Sequence, residues 1–241
     1  NERENMGQNE CKLKNGDIVK YDPSIFGRGE YKTAHVGQYI SGANTGQQCI
    51  VKVFKSADAA FKNGNTVRIT RIARKLAADF NKLEKIERPL VFLLPKVAIV
   101  SKVAMVSWLY TSVRLGDVVT VEEKINGKYE KFISNNGTLL FHGTLSCFAH
   151  WSYWKSKQKF MIVDLQGERR NDKYILTDPA IHSGEGFGEP FGELDCGMVG
   201  IEAFFSTHKC EKMCKGLPLP SNIRYTPKDC ENLMRRRVKG K

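Results

Sequence analysis

Several things are missing from this 241-residue chain, and each absence narrows the reading. No apolar run approaches the roughly 20 residues that a bilayer span requires. The polar opening from Asn1 to Glu10 has no apolar segment of the kind a secretory leader carries. It starts at Asn1 rather than at methionine, as a domain cut from a longer chain would. There is no G-x-x-x-x-G-K-[ST] loop, and neither an H-R-D nor a D-F-G triplet. A P-loop ATPase and a conventional protein kinase are therefore excluded by motif. Internal repeats and low-complexity tracts are absent. The seven cysteines are odd in number and scattered through apolar stretches, which is not a secreted disulfide framework. A reducing, cytoplasmic setting is expected. Acid is also in short supply: 26 Asp and Glu stand against 38 Lys and Arg, for a net charge of +12. That balance favours anionic partners, meaning nucleotide, acidic protein or nucleic acid. Nucleic acid is the weakest of these, because the aromatics read as core or strand residues and are not interleaved with the basic ones as a stacking platform.

The residues present predict an α+β fold, with strands first and helices later. Asp17–Asp22 and Gln48–Lys55 are rich in β-branched residues and read as strands, with a glycine-rich stretch, Phe26–Gly37, between them. Ile69, Ile72, Ala73, Leu76, Phe80 and Leu83 recur at steps of three and four, which predicts a helix over 66–86, stopped by Pro89. Single strands are expected over 92–100, 116–123 and 159–167, and helices over 145–156 and 200–208. The basic end, MRRRVKGK from Met234, reads as a solvated, mobile tail.

Four features look chemical. In CIVKVF, Lys52 has apolar neighbours on both strand faces; it either snorkels out from an edge strand or meets an anion such as phosphate. Asp164 ends an apolar strand just before Gly167, as a turn cap or as a catalytic carboxylate. Asp178 precedes Pro179, which disfavours helix; it is a plain Asp-Pro turn or, together with a second acid, a Mg²⁺ ligand. In HKCEKMC, His208, Cys210 and Cys214 are one ligand short of a closed tetrahedral zinc site, so a metal site, a redox pair and plain helix all remain open. The glycine-rich FGELDCGMVG runs into a helix, a junction whose N–H groups favour anions.

Taken in order, these pieces resemble the α-kinases, the atypical protein kinases typified by myosin heavy chain kinases, elongation-factor kinase and the channel-kinases. The resemblance rests on FGRGEYKTAHVG, CIVKVF, KLAADFNK, VEEKINGKYEKF, FAHWSY, VDLQG, LTDPAIHS, the glycine loop with GIEAFF, and HKCEKMC, which together run from about Phe26 to Pro220. It implies a single catalytic domain of two-lobed, kinase-like fold with ATP in the cleft: an N-terminal lobe over about 1–121, a C-terminal lobe over 122–220 and the basic tail over 221–241. The implied activity is transfer of the γ-phosphoryl of Mg-ATP to a Ser or Thr hydroxyl of a protein substrate, with threonine preferred.

By the same resemblance, Lys52 contacts the ATP phosphates. Lys32 stands where most members have arginine, which keeps the charge and loses the bidentate fork. Glu122 matches the acidic hinge residue beside adenine, and Lys131 lies near the catalytic aspartates. Asp164 orients or deprotonates the attacking hydroxyl, while Gln166 and Asp178 bind Mg²⁺. Gly192, Gly197 and Gly200 mark the loop that engages peptide. A structural zinc is implied at His150, His208, Cys210 and Cys214, with Cys210 and Cys214 on one helix face and the helix ending or distorting near Lys209.

Two departures stand out. The segment 168–176, ERRNDKYIL, is longer than the family's usual V-G-x-x-L and brings Arg169 and Arg170; Asp178 can return if the extra residues form a hairpin bulge. Asp195 replaces the usual asparagine, and a negative charge there sits poorly beside phosphate unless it binds metal or a basic substrate. Two other readings stay open: a pseudokinase or scaffold that binds nucleotide weakly, supported by Asp195 and the insert, and a zinc-stabilised nucleic-acid-binding protein, supported by the net charge and the tail.

Overall fold

The computed structural model describes residues 7–55, 59–84, 86–105, 107–109, 113–188, 190–211 and 213–239. The first six residues of the polar N-terminal stretch, Lys212 of HKCEKMC, and Gly240 and Lys241 of the basic tail lie outside them. Contacts gather the chain into two compact units, Asn1–Arg68 with Leu94–Lys124, and Ile69–Leu93 with Ile125–Lys241. The first unit is thus assembled from two stretches of chain, where the sequence suggested one continuous lobe ending near residue 121.

Alternating apolar residues build the first unit. Its strands are β1 (Asn9–Leu13), β2 (Ile18–Tyr21), β3 (Gly27–Arg28), β4 (Lys32–Tyr39), β5 (Gln48–Phe54), β7 (Lys96–Lys102) and β8 (Val118–Glu123). They pair in the order β2-β1-β7-β8-β5-β4-β3, and β2 also pairs with β4. That extra pairing closes six strands on themselves, all antiparallel, and leaves no free edge among them. Closure depends on Gly37, which lies opposite Tyr21 in the β2–β4 pairing. A Cβ there would come within 2.9 Å of the Lys20 carbonyl oxygen. The inward residues, among them Cys11, Val19, Cys49, Val51, Val53, Val100, Val119 and Val121, form one apolar core.

The second unit is built on α2 (Thr144–Lys155), which is buried around its whole circumference from Leu145 to Tyr153. Apolar residues on every side make this a core helix rather than a surface one. Phe148 and Trp151 on α2 meet Phe80, at the end of α1 (Ala59–Phe80), edge to face. Around them lie β6 (Leu90–Phe92), β9 (Tyr129–Lys131), β10 (Phe160–Val163), β11 (Gln166–Arg169), β12 (Tyr174–Thr177), β13 (Ala180–Ser183), α3 (Gly197–Thr207) and α4 (Pro227–Lys239). A four-stranded sheet runs β6-β12-β11-β9, and β10 pairs with β13.

The expected elements are present, with instructive differences. Helix α1 starts at Ala59, ahead of the expected Thr66, and ends at Phe80, short of Ile86. The early stop follows from Asn81, whose amide donates to the Leu90 carbonyl and whose carbonyl accepts from the Leu90 N–H, both at 2.9 Å, so that the chain turns into β6. The single strand expected over 92–100 is two strands in different sheets, parted next to Pro95, which has no N–H to give a ladder. The expected mobile tail is in large part helix α4. The Asp229 carboxylate reaches back to accept from the backbone N–H and hydroxyl of Thr226, and Pro227 occupies the first helical position.

Candidate active site

In the first unit, the ladder sorts side chains by alternation. Cys49, Val51 and Val53 of β5 enter the core, which turns Ile50, Lys52 and Phe54 to the other face. Register adds Glu122, opposite Ile50, and Lys32, opposite Phe54, to that face. Lys52 and Glu122 are both buried, with side chains 10% and 5% exposed, and the ammonium forms an ion pair with Glu122 Oε1. The lysine thus neither snorkels nor sits on an edge. Glu122, expected beside adenine, has its carboxylate committed to Lys52. Lys32 Nζ lies 4.7 Å from the Phe54 ring centre and 3.4 Å from Thr66 Oγ1.

In the second unit, the single strand expected over 159–167 breaks at Asp164, and that break makes the site. On one side Val163 lies opposite Ala180; on the other Gln166 lies opposite Thr177. The register is the same on both sides, so β10–β11 and β12–β13 form one long hairpin interrupted at mid-length. In that register Asp164 falls opposite Pro179, and Leu165 opposite Asp178. Both aspartates have left-handed backbone, φ 55° at Asp164 and φ 47° at Asp178. Such values are uncommon outside glycine and concentrate at functional sites. The interruption takes both aspartates out of the strand alternation on adjacent rungs of the hairpin.

Asp164 is 7% exposed. Lys131 Nζ lies 3.0 Å from its Oδ1, and Gln166 Nε2 donates to its Oδ2 at 3.2 Å. Lys131 is opposite Gln166 across β9–β11, so Lys131, Gln166 and Thr177 form a row through three strands. With its amide NH₂ turned to Asp164, Gln166 has its carbonyl oxygen left as the atom for a hard cation. Gly167 has φ 147°, and a Cβ there would sit 2.0 Å from the Ile175 carbonyl oxygen, so only glycine fits. The insert extends β11 and β12 into a hairpin closed by Arg170 N–H donating to the Lys173 carbonyl at 2.9 Å. Lengthening both arms moves the tip and leaves Asp178 in register.

The glycine loop differs from its expected form. Asp195 is fully buried, and its carboxylate is taken up by its own loop. Oδ1 accepts from Ser183 N at 2.7 Å, Ser183 Oγ at 3.1 Å and Gly197 N at 2.9 Å, and Oδ2 from Phe191 N at 3.3 Å. Four donors from the loop and β13 take up the carboxylate, so Asp195 fastens the loop. Gly192 has φ 89° and Gly197 φ 57°, as a tight turn into α3 requires. Gly200, expected in the peptide loop, instead lies inside α3. A Cβ there would strike the His182 ring at 2.3 Å, so its role is close packing.

The remaining cluster lies at the end of α3. His150, His208, Cys210 and Cys214 bring four ligand atoms within 4.8 Å of one another, a possible metal site. Cys210 and Cys214 do not share a helix face: α3 ends at Thr207, and the chain runs extended through His208 into a turn. Nδ1 of His150 is 3.3 Å from Nε2 of His208 and 3.6 Å from the Cys210 sulfur, and Nε2 of His208 is 3.5 Å from the Cys214 sulfur. The other nitrogen of His150 donates to the Pro218 carbonyl at 3.0 Å, which turns Nδ1 to the cluster. Sequence reasoning missed Cys147, whose sulfur is 3.2 Å from that of Cys214. Its signal was its place three residues before His150 on α2, one helical turn away. The Cys147 contact is the largest influence holding the Cys214 thiol far below its ordinary range; burial opposes it, and His150 and His208 add to it. Burial pushes the Cys210 thiol up.

No helix among the described residues is long and apolar enough to cross a membrane.

Comparison with known proteins identifies the family. The profile of the alpha-kinase family matches residues 27–214. Alpha-protein kinase vwkA of Dictyostelium discoideum is 32% identical over 211 residues, covering 84% of this chain and 32% of that protein. Myosin heavy chain kinase B of the same organism is 28% identical over 221 residues, covering 90% of this chain and 28% of that protein. The chain thus spans about a third of the length of these curated relatives. An alpha kinase structure from Entamoeba histolytica superposes with a TM-score of 0.72 at 28% identity, covering 87% of this chain and 81% of the other. The alpha-kinase domain of myosin heavy chain kinase A, in complex with AMP, has the same fold, with a TM-score of 0.70 at 20% identity over 88% of this chain and 98% of the other. A family profile matched over residues 27–214, more than three quarters of the chain, shows that this chain belongs to the alpha-kinase family, a family of atypical protein kinases.

Proposed function

We propose that this chain is a catalytic domain that transfers the γ-phosphoryl of Mg-ATP to a serine or threonine hydroxyl of a protein, with threonine preferred. The observation that carries this reading is the interrupted hairpin, which holds Asp164 between Lys131 and Gln166 and returns Asp178 on the adjacent rung. Asp164 accepts the hydroxyl hydrogen bond and aligns the attacking oxygen. Lys131 pairs with that carboxylate and directs it. Gln166, through its carbonyl oxygen, and Asp178 are the Mg²⁺ ligands, a donor set of two oxygens suited to a cation that keeps waters and phosphate oxygens for its other positions. Bound there, Mg²⁺ would offset charge on the transferring phosphates. In the first unit, Lys52 is the phosphate-binding cation, with Glu122 setting its direction, and Lys32 on the same face adds charge. Arg169 and Arg170 near the hairpin tip bias the choice of substrate. Asp195 gives no support to a pseudokinase reading, since its charge is satisfied within the loop.

The His₂Cys₂ cluster is a structural zinc site in this reading. Two nitrogens at about 2.0–2.1 Å and two sulfurs at about 2.3 Å from a tetrahedral ion stand about 3.3 Å apart for the nitrogens and about 3.5 Å for nitrogen to sulfur. The separations of 3.3, 3.5 and 3.6 Å match that spacing. Four protein ligands leave no open position, and Cys147 donates to the Cys214 thiolate from outside the set. Cys214→Ser should lose bound zinc and fold poorly, read by metal analysis and circular dichroism, because a structural site contributes folding energy outright.

The deciding assay gives γ-labelled ATP and Mg²⁺ with basic peptides that differ only in Thr or Ser, comparing wild type with Asp164→Ala. Transfer that falls by roughly 10²–10⁴-fold in the variant supports the reading. Nucleotide binding without transfer by the wild type would favour a scaffold, and salt-sensitive nucleic-acid binding without nucleotide binding would favour the third alternative.

A further inference from the structure

Residues 27–214 carry the family match, so α4 lies wholly beyond it. The helix is nevertheless built into the second unit. Cys230, Leu233, Met234 and Arg237 fall at i, i+3, i+4 and i+7 and so form one face. Cys230 and Met234, with Leu233 against them, share a small apolar cluster with Cys196 and Ala203. The approach to the helix is fastened as well. Arg224 holds the buried Glu202 of α3 with its fork and its backbone N–H, at 2.7 to 3.3 Å.

What this face touches is the glycine loop. Arg237 Nη1 donates to the Asp195 carbonyl at 2.6 Å, and Cys230 shares an apolar cluster with Cys196 of the loop. The Asp195 side chain in turn ties Ser183, Phe191 and Gly197 together. A second tie runs through Asn135, whose amide donates to the Leu194 carbonyl at 3.1 Å and contacts the Met234 sulfur at 2.9 Å. The backbone carbonyl of Asn135 accepts from His182 Nε2 at 2.7 Å, and His182 Nδ1 accepts from the Cys196 N–H at 3.1 Å. The loop's polar groups are thus held from β13, from the turn at Asn135 and from α4. Of the three, α4 supplies the charged donor.

We propose that Arg237, at the end of this docked helix, is a positioning residue that holds the glycine loop in its peptide-receiving shape. The inference rests on the kinase reading for the loop's role; the contact itself does not. A guanidinium on the Asp195 carbonyl restrains the backbone at the residue whose side chain ties the loop together. Losing it leaves the nucleotide-binding groups untouched and loosens the surface a peptide meets. The basic run Arg235–Arg237, which from sequence looked like a solvated end, is then divided: Arg235 pairs with Glu231 at the surface, and Arg237 holds the loop.

The test uses the full chain with Arg237→Met and Arg237→Lys, alongside wild type and Asp164→Ala. For Arg237→Met, peptide KM should rise roughly tenfold with the ATP KM unchanged, a size consistent with small misplacement of a substrate-orienting element. Arg237→Lys, which keeps one charged donor, should recover most of that loss. Hydrogen exchange at the Phe191 and Gly197 amides should be faster in Arg237→Met, with exchange in α2 unchanged. Peptide KM within twofold of wild type and unaltered loop exchange would overturn the proposal. So would a parallel loss of ATP and peptide affinity with a lowered Tm, which marks general destabilisation. If Arg237→Met does not fold, Arg237→Gln, which is shorter and uncharged, decides through the same two readouts. Absence of transfer by the wild type refutes the kinase reading alone, and loop exchange still decides whether Arg237 holds the loop.

Discussion

The two units hold their charged groups by opposite means. In the first, Lys52 and Glu122 belong to an unbroken ladder, and regular alternation alone puts them on one face and in contact. In the second, Asp164 and Asp178 stand where a hairpin breaks, each in left-handed backbone. A regular strand aims a side chain up or down and no other way; it suits a cation that needs one partner and a fixed direction. An interruption frees a carboxylate from that choice, at a cost in backbone energy that the pairing on both sides sustains. Splitting the buried pair should therefore cost stability as well as activity, while substitutions at the interruption should cost activity and carry an unusual backbone signature.

The largest stability effect should come from splitting the buried pair. Lys52→Met strands the Glu122 carboxylate in a site 5% exposed, which costs about 3–5 kcal/mol when a buried ion pair loses one member. Removing both charges, as Lys52→Met with Glu122→Leu, should return most of that loss, because replacing a buried pair by apolar side chains is often neutral. Urea unfolding of the two variants checks this. A double variant as unstable as the single one would mean that the pair is not the source of the cost.

Acid should act on both units through one buried histidine each. His182 Nε2 donates to the Asn135 carbonyl while Nδ1 accepts from the Cys196 N–H, so the ring is neutral, and burial pulls its pKa below the ordinary 6.5. His35 is likewise lowered by burial; one ring nitrogen lies 3.1 and 3.0 Å from the carbonyls of Asp22 and Ser24, and the other 3.0 Å from Thr33 Oγ1. The unfolded chain then takes up the protons first, so stability is full above pH 6.5 and falls as pH drops below it, by at most about 1.4 kcal/mol per pH unit for each ring. Unfolding measured from pH 7.5 to 5.5 should show this slope, and His35→Gln should flatten it in part. A stability that rises on acidification would contradict the neutral-ring assignment.

Much of this was readable before any coordinates. Lys52 betrayed itself by standing among apolar residues, and the spacing of His208, Cys210 and Cys214 announced three of the four members of the His₂Cys₂ cluster. The glycine-rich β2–β4 region had no period because it contains a close crossing at Gly37, and ladder closure joins residues too far apart in sequence for any pattern to show. The partner of Glu122 depends on cross-strand register, which the side-chain alternation of one strand does not contain. The apolar run over 159–167 concealed its break, since φ at Asp164 is set by pairing on both sides rather than by Asp-Leu-Gln. Helix α4 is the instructive miss. Thr226, Pro227 and Asp229 form a start signal, and Cys230, Leu233 and Met234 a stripe, but the run of arginines drew attention to charge and away from spacing.

The smallest effect has the most diagnostic sign. Asp178→Ala and Asp178→Gly remove the same carboxylate and should abolish transfer alike, so their difference in stability isolates the backbone. In an ordinary strand, glycine would be the worse by about 0.5–1 kcal/mol. At φ 47° the order should reverse, with Asp178→Gly more stable than Asp178→Ala by about 1 kcal/mol, because a Cβ in left-handed backbone costs about 1–2 kcal/mol and the glycine entropy term offsets only part of it. Calorimetric unfolding of the two proteins reads the sign directly. The same pair of substitutions at Thr120, in the regular β8, should show the ordinary order. If both positions favour alanine, the interruption is not strained, and the contrast between ladder and hairpin loses its physical basis.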